Sequence, residues 1–95
     1  MNEALVQTAE RLPRRPGVYL FTDAKGRVIY VGKAKDLRAR VRQYLQGADD
    51  RPQIPFLVRA AVDVHVTETR TEKEALILEN TLIKKHRPRY NIKLR

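Results

Sequence analysis

Three kinds of side chain in this sequence have the chemistry to act on an anion: tyrosine hydroxyls, one guanidinium set apart from its neighbours, and one carboxylate on an apolar face. The stretch "IYVGKAKDLRARVRQYL" (29–45) reads as a strand, a turn at Gly32 and a helix, with tyrosines near both ends. At about 100° per residue, its helix over 36–45 has an apolar stripe of Leu37, Val41, Tyr44 and Leu45. Arg38 and Arg42 fall together on one border, as a solvated pair or a pair that tracks a backbone. Arg40 falls on the other border beside Tyr44, where it either looks into a pocket or covers apolar surface with its stem. In a second helix, Glu79 lies in the middle of an arc made by Ala75, Leu76, Leu78, Leu82 and Ile83. An ionised carboxylate on such a face is costly unless it meets a cation or a metal ion. Both readings stay open at this point.

The elements that must position these groups follow from pattern. Residues 3–11 predict a short helix ended by "LPRRPG". "GVYLFT" (17–22) and "RVIYVG" (27–32) are β-rich runs around "DAKG", a hairpin signal. A four-residue loop puts Thr22 opposite Arg27 and Tyr19 directly opposite Tyr30 on one sheet face. Both strands are apolar on both faces, so helices are expected on both sides. "ADDRPQ" (48–53) reads as a loop, and "PFLVRAA" (55–61) as a short helix with Pro55 in its first turn. "VDVHVTET" (62–69) alternates as a third strand. "TEKEALILENTLIKKH" (71–86) is the clearest helix, opened by a Thr71–Glu74 capping box and stopped by Pro88. The expectation is an α+β domain: a three-stranded sheet flanked by about four helices.

Composition narrows the function classes. The 95 residues suit one domain, contain no cysteine and carry a net charge of +9. Disulfides, zinc–thiolate centres and cysteine nucleophiles are excluded. The first 17 residues hold acids and no apolar run, so no signal peptide is expected. The positive charge clusters: Lys84 to Arg95 holds six Lys and Arg and no acid. Such a field favours a polyanion, and nucleic acid ranks above a membrane surface, which would want a large apolar face opposite the charge. His65 sits on the polar side of the third strand and His86 ends the long helix, neither at metal-ligand spacing. No glycine pattern cradles a nucleotide phosphate.

"GVY" at 17–19, "YVG" at 30–32, the following "GKAKDLRARVRQYL" and the closing "EALILENTLIKKHRPRYN" together resemble the GIY-YIG nuclease domain. More narrowly they resemble the N-terminal domain of the bacterial UvrC excision-repair endonucleases, from about Pro13 to Arg95. Val18 and Val31 stand where the family name has isoleucine. The resemblance implies residue roles. Tyr19 and Tyr30 match the motif tyrosines and Gly32 the motif glycine, expected to let the chain turn from strand to helix. Lys33 follows it. Arg40 and Tyr44 match the helix arginine and tyrosine, Glu79 the metal-binding glutamate, and Asn91 the asparagine of the closing segment.

Phosphodiester hydrolysis needs an in-line water, cations on the transition-state charge and a proton acceptor. One well-placed acid favours a single divalent ion, Mg²⁺ with Mn²⁺ as a substitute. The resemblance implies Tyr30 as general base, its pKa lowered by Lys33 or Arg40. It implies Arg40 on the scissile phosphate, Glu79 on the metal, and Tyr19, Tyr44 and Asn91 positioning water or phosphate. Lys35, Arg38, Arg42, Lys84, Lys85, Arg87 and Arg89 are expected to bind DNA phosphates with little sequence preference. The family also implies damaged double-stranded DNA and a UvrB–DNA complex as partners, incision on the 3′ side of the lesion, a cytoplasmic location, and a monomeric N-terminal fragment of a longer protein. A non-catalytic basic nucleic-acid-binding module is the alternative; it leaves Glu79 unexplained.

Overall fold

The computed structural model describes residues 2–91. In chain order the elements are α1 (Glu3–Glu10), β1 (Gly17–Thr22), β2 (Val28–Ala34), α2 (Leu37–Leu45), α3 (Ile54–Ala60), β3 (Asp63–Glu68) and α4 (Glu72–His86). The strands form one antiparallel sheet in the order β2-β1-β3, so β1 is central and β2 lies at an edge. This is the expected α+β architecture.

Local chemistry explains the boundaries. Asp36 caps α2 by accepting the Ala39 N–H at 3.0 Å. Carbonyls of the preceding proline-rich loop take two more first-turn donors, Leu37 N–H to Arg15 and Arg38 N–H to Pro13. Thr71 caps α4 through the Glu74 N–H at 3.1 Å. The return bond of the expected capping box is displaced: the Glu74 carboxylate takes the Arg70 N–H at 2.8 Å instead of that of Thr71. Helix α4 stops where Pro88 forbids continuation, with Arg87 left-handed at φ 45° and its N–H on the Ile83 carbonyl.

The hairpin register differs from the expected one. Tyr19 faces Gly32, and Tyr30 faces Phe21. The turn itself forms over Asp23–Gly26, closed by the Gly26 N–H on the Asp23 carbonyl at 2.9 Å. Beyond it Thr22 pairs with Val28, and then Ile29 is an extra residue, a bulge before the Phe21–Tyr30 pair. The combined slip is two residues, and a slip of two keeps every side chain on its face. Tyr19 and Tyr30 therefore remain neighbours, with ring centroids 6.3 Å apart.

Gly32 is also not the turn residue expected of it. It lies within β2, which runs on to Ala34, and the chain leaves the strand only at Lys35 and Asp36. A Cβ on Gly32 would fall inside the hydroxyl and ring of Tyr19. Its smallness admits a tyrosine across the strand pair.

Helices cover both faces of the sheet, unequally. On one face Tyr19, Phe21, Ile29, Tyr30 and Val64 pack with Leu5 and Ala9 of α1, Leu37, Val41, Tyr44 and Leu45 of α2, and Ile54 and Leu57 of α3. The predicted stripe of α2 is buried in full. Each such fully buried leucine or valine contributes about 1.5–3 kcal/mol. On the other face Val18 and Val31 meet Ala75 of α4, with Leu20, Leu78, Leu82 and Ile83 half-buried around them. Leu76, expected within the apolar arc, is 44% exposed. Only β1 and β2 lie under α4, too narrow a surface to cover an arc that wide.

Candidate active site

Three tyrosines from three elements bring their hydroxyls together beneath α2. Tyr19 and Tyr44 are 2.7 Å apart, and Tyr44 donates to Tyr30 at 3.3 Å. Tyr44 has one proton to give and gives it to Tyr30, so Tyr19 is the donor to Tyr44. The three rings pack edge-on or tilted, with centroids 5.6–6.3 Å apart. Burial pushes the Tyr19 pKa well above the usual phenol value, and the other two hydroxyls push it further. Tyr30 is pushed up to about 12 by burial and by Tyr44, against a lowering pull from Arg51. Lys33 or Arg40 was expected to lower the Tyr30 pKa, and the net shift is the reverse, because burial and Tyr44 outweigh the cation that does pull it down. That cation is Arg51, because its side chain is the one that reaches the hydroxyl.

Two guanidiniums lie on this cluster. Arg40 stacks on the Tyr44 ring, 4.7 Å from its centroid, and is held by Gln43 at 2.8 Å and Asp49 at 3.2 Å. Its guanidinium covers the Tyr44 ring and also reaches the hydroxyl cluster, 3.4 Å from the Tyr44 oxygen. Arg51, from the loop after α2, donates to the Tyr44 hydroxyl at 2.8 Å and to that of Tyr30 at 3.3 Å. Its other donors reach Asp49 at 3.0–3.3 Å. Asp49 is 8% exposed on its side chain, and the hydrogen bonds from Arg51 hold its pKa below the ordinary carboxylate value. Neither Asp49 nor Arg51 stood out in the sequence. A loop has no period, and the one clue was an arginine set among acids in "ADDRPQ".

Glu79 stands on α4, the helix packed on the Val18 and Val31 face of the sheet, with Lys33 of the edge strand β2 as its neighbouring charge. Burial raises its pKa; the charge and the main-chain N–H of Lys33 pull the other way without cancelling the rise. Among the described residues no cation lies within 4.0 Å of its oxygens to form an ion pair, and no three metal-binding side chains cluster. A lone half-buried carboxylate is a donor set that suits Mg²⁺, which takes few protein oxygens and keeps water and phosphate as its other ligands.

Other expected residues do different work. Asn91 is committed to the free edge of β2: its carbonyl oxygen takes the Val31 N–H at 2.7 Å and its amide donates to the Val31 carbonyl at 2.9 Å. It pairs with a strand where a phosphate or water contact was expected. Arg38 and Arg42, expected on DNA, turn toward α1. Arg38 donates to the Leu12 carbonyl at 2.8 Å, and Arg42 lies 3.8 Å from Glu10. The wheel of one helix cannot see the helix packed beside it. Lys35 is exposed, 3.9 Å from Glu72. Lys84, Lys85, Arg87 and Arg89 are exposed around the end of α4. A surface cleft between that end and the hairpin is lined by Arg27, His86, Arg87 and Arg89, with Asp23 as its one acid among the described residues. It is a basic groove away from the hydroxyls, suited to a backbone more than to a reaction.

Comparison with known proteins places this geometry. Residues 15–92 match the UvrC-like GIY-YIG domain. The UvrABC system protein C of Syntrophus aciditrophicus is 61% identical over 80 residues, 84% of this chain and 13% of that protein. That of Geobacter metallireducens is 61% identical over 85 residues, 88% of this chain and 14% of that protein. The chain thus spans about one seventh of the length of these relatives. The crystal structure of the GIY-YIG N-terminal endonuclease domain of UvrC from Thermotoga maritima, bound to its catalytic magnesium, superposes with a TM-score of 0.87 at 39% identity, covering 97% of this chain and all of that one. An asparagine-to-alanine variant of that domain, bound to its divalent cation, gives 0.88 at 38% identity over 98% of this chain and all of that one.

Proposed function

The chain belongs to the UvrC-like GIY-YIG domain family, and from that premise we propose that it is a divalent-metal-dependent DNA endonuclease domain of nucleotide excision repair. Its reaction is hydrolysis of a phosphodiester on the 3′ side of a lesion. The observation that carries the reading is the convergence of three tyrosine hydroxyls under the Arg40 guanidinium, with a carboxylate unpaired among the described residues on α4, beside Lys33 of β2.

Arg40 holds the scissile phosphate. It is 33% exposed, so one side of its fork faces outward while the Tyr44 ring fixes its plane. A guanidinium held in advance stabilises the charge that grows on the phosphate without reorganising. Tyr30 takes the proton of the attacking water. It does so as the phenolate, its own proton having first passed to solvent, and the bonds it accepts from Tyr44 and Arg51 stabilise that oxygen. Since that proton is held up to about 12, the base form is rare at neutral pH. The nicking rate therefore rises with pH between about 7 and 9. Tyr19 and Tyr44 orient Tyr30 through the hydroxyl chain. Glu79 holds one divalent cation, Mg²⁺ or Mn²⁺ in its place, which supplies positive charge to the phosphate oxygens and the leaving group. Lys33, exposed beside Glu79, adds charge at the same edge.

Lys35, Lys84, Lys85, Arg87 and Arg89 supply backbone affinity, so binding weakens steeply with salt. No described side chain is placed to read bases, and lesion choice falls to a UvrB–DNA complex engaged by the longer protein in the cytoplasm. The test is nicking of a damaged duplex by this chain, with and without the partner proteins, with Mg²⁺ and with chelator. Cleavage that needs the divalent ion supports the reading. Salt-sensitive binding without cleavage, even with partners present, leaves only a basic DNA-binding module.

A further inference from the structure

The loop between α2 and α3 contains an anion already in place. The Asp49 carboxylate lies 3.2 Å from an Arg40 nitrogen and 3.0 Å from an Arg51 nitrogen, and it is 8% exposed. The same two guanidiniums reach the tyrosine hydroxyls on their other side, Arg51 at 2.8 and 3.3 Å and Arg40 at 3.4 Å. A phosphate brought to these hydroxyls must accept from the donors that Asp49 now holds. We propose that Arg51 is a second phosphate-holding residue of this site, and that Asp49 stands in for the DNA phosphate until one displaces it.

Charge favours the exchange. Two arginines share one carboxylate, so a unit of positive charge is left over. A phosphodiester carries the same single charge as Asp49, and its oxygens match the guanidinium fork. The Arg40 and Arg51 side chains are 33% and 41% exposed, so they can be approached from solvent. The carboxylate sits on a short segment that begins at Gly47, where φ is 74°, and continues through exposed Ala48. Withdrawing it requires that segment to move, while the tyrosines on β1, β2 and α2 stay in place. Free Asp49 keeps the paired arginines from scattering, and bound DNA replaces it at little cost in reorganisation.

This inference rests on the nuclease reading, and its test separates the two. Binding of a short DNA duplex in chelator at low salt is compared for wild type, Asp49→Asn and Arg51→Gln, with melting temperatures recorded for each. Removing the resident anion should tighten binding about threefold to tenfold, and removing Arg51 should weaken it by a similar factor. The double variant should fall between the two, tighter than Arg51→Gln because Asp49 also holds Arg40. With partner proteins and Mg²⁺ present, Arg51→Gln should nick about 10- to 100-fold slower. If the Asp49–Arg51 pair only pins the loop, both single variants lose affinity together, and that result overturns the proposal. So does an Asp49→Asn variant that melts like wild type and binds no tighter. Where asparagine at 49 lowers the melting temperature, the wild type decides: the Arg51 side-chain N–H resonance must shift on adding duplex, and a stationary signal overturns the proposal. A wild type that neither binds nor nicks sinks the nuclease reading; one that binds with a stationary Arg51 sinks only this inference.

Discussion

The two faces of the sheet are built to different standards. The face under α1, α2 and α3 buries three tyrosines, a phenylalanine and eleven other described side chains into one cluster. The face under α4 buries only Val18, Val31 and Ala75, with its larger apolar residues half-covered at the rim. The hydroxyls sit on the crowded side, and Glu79 sits on the sparse one. Hydrogen-bonded oxygens at 2.7 Å keep their spacing only if their rings cannot shift, which requires close packing. A carboxylate that must meet an ion needs water and room. Precision is concentrated on one side of the sheet and access on the other.

The comparison can be broken most sharply at Glu79. Glu79→Gln should lower divalent-dependent nicking by about a thousandfold, the several kcal/mol that a metal site supplies. It should do so without loss of stability. Burial raises the Glu79 pKa, with Lys33 opposing, so the folded state favours the protonated form. Stability from this group is full in acid and is lost as pH rises through that raised value. A neutral amide avoids the loss, so the variant should melt no lower than wild type at neutral pH, with the difference vanishing in acid. A variant that melts well below wild type would make Glu79 a structural residue.

On the crowded side, Tyr30→Phe should slow nicking about a hundredfold and flatten its pH dependence. Its second signature is alkaline. The folded protein holds the Tyr30 proton up to about 12 against a usual value of 10.0, so stability falls as pH rises through that window. A ring without the hydroxyl removes this share, leaving the fall due to Tyr19, whose proton is also held above the usual phenol range. Melting temperature against pH reads it directly. The packing contrast itself is sharpened by a pair of truncations. Leu37→Ala should cost about 3 kcal/mol and Leu82→Ala about 1 kcal/mol in denaturant unfolding, because one is fully enclosed and the other half-covered. Equal costs would remove the distinction between the faces. An effect as small as that of Leu82→Ala is expected from Asn91→Ala: about 1 kcal/mol for its bonds to the edge of β2, seen as faster hydrogen exchange at Val31.

What the sequence made legible follows the same divide. Residue pattern and turn chemistry placed all seven elements, and the helix wheel placed the buried stripe of α2 and the separation of Arg40 from Arg38 and Arg42. Each of these is a property of one element taken alone. The misses concern relations between elements. A bulge at Ile29 leaves no mark in composition, and together with a loop one residue longer than expected it puts the strand register off by two. Arg38 and Arg42 meet Leu12 and Glu10, which their own helix does not reveal. Gly32 answers to a ring on the next strand. Asp49 and Arg51 lie where no period exists, and they matter only because the loop folds back over Tyr44. Glu79 was conspicuous for the opposite reason: it violates the pattern of its own helix.

Ile29 has one more effect. The extra residue sends Ile29 and Tyr30 into the same core and breaks the ladder between the hairpin tip and the tyrosines. The tip and the reacting oxygens are thereby decoupled, much as a slack link isolates one end of a chain from tension at the other. A residue gained or lost around Ala24 and Lys25 can be absorbed by reshaping that link, with Tyr30 left where it is. The tip is accordingly the place to attach a spectroscopic probe or a tether without disturbing the chemistry.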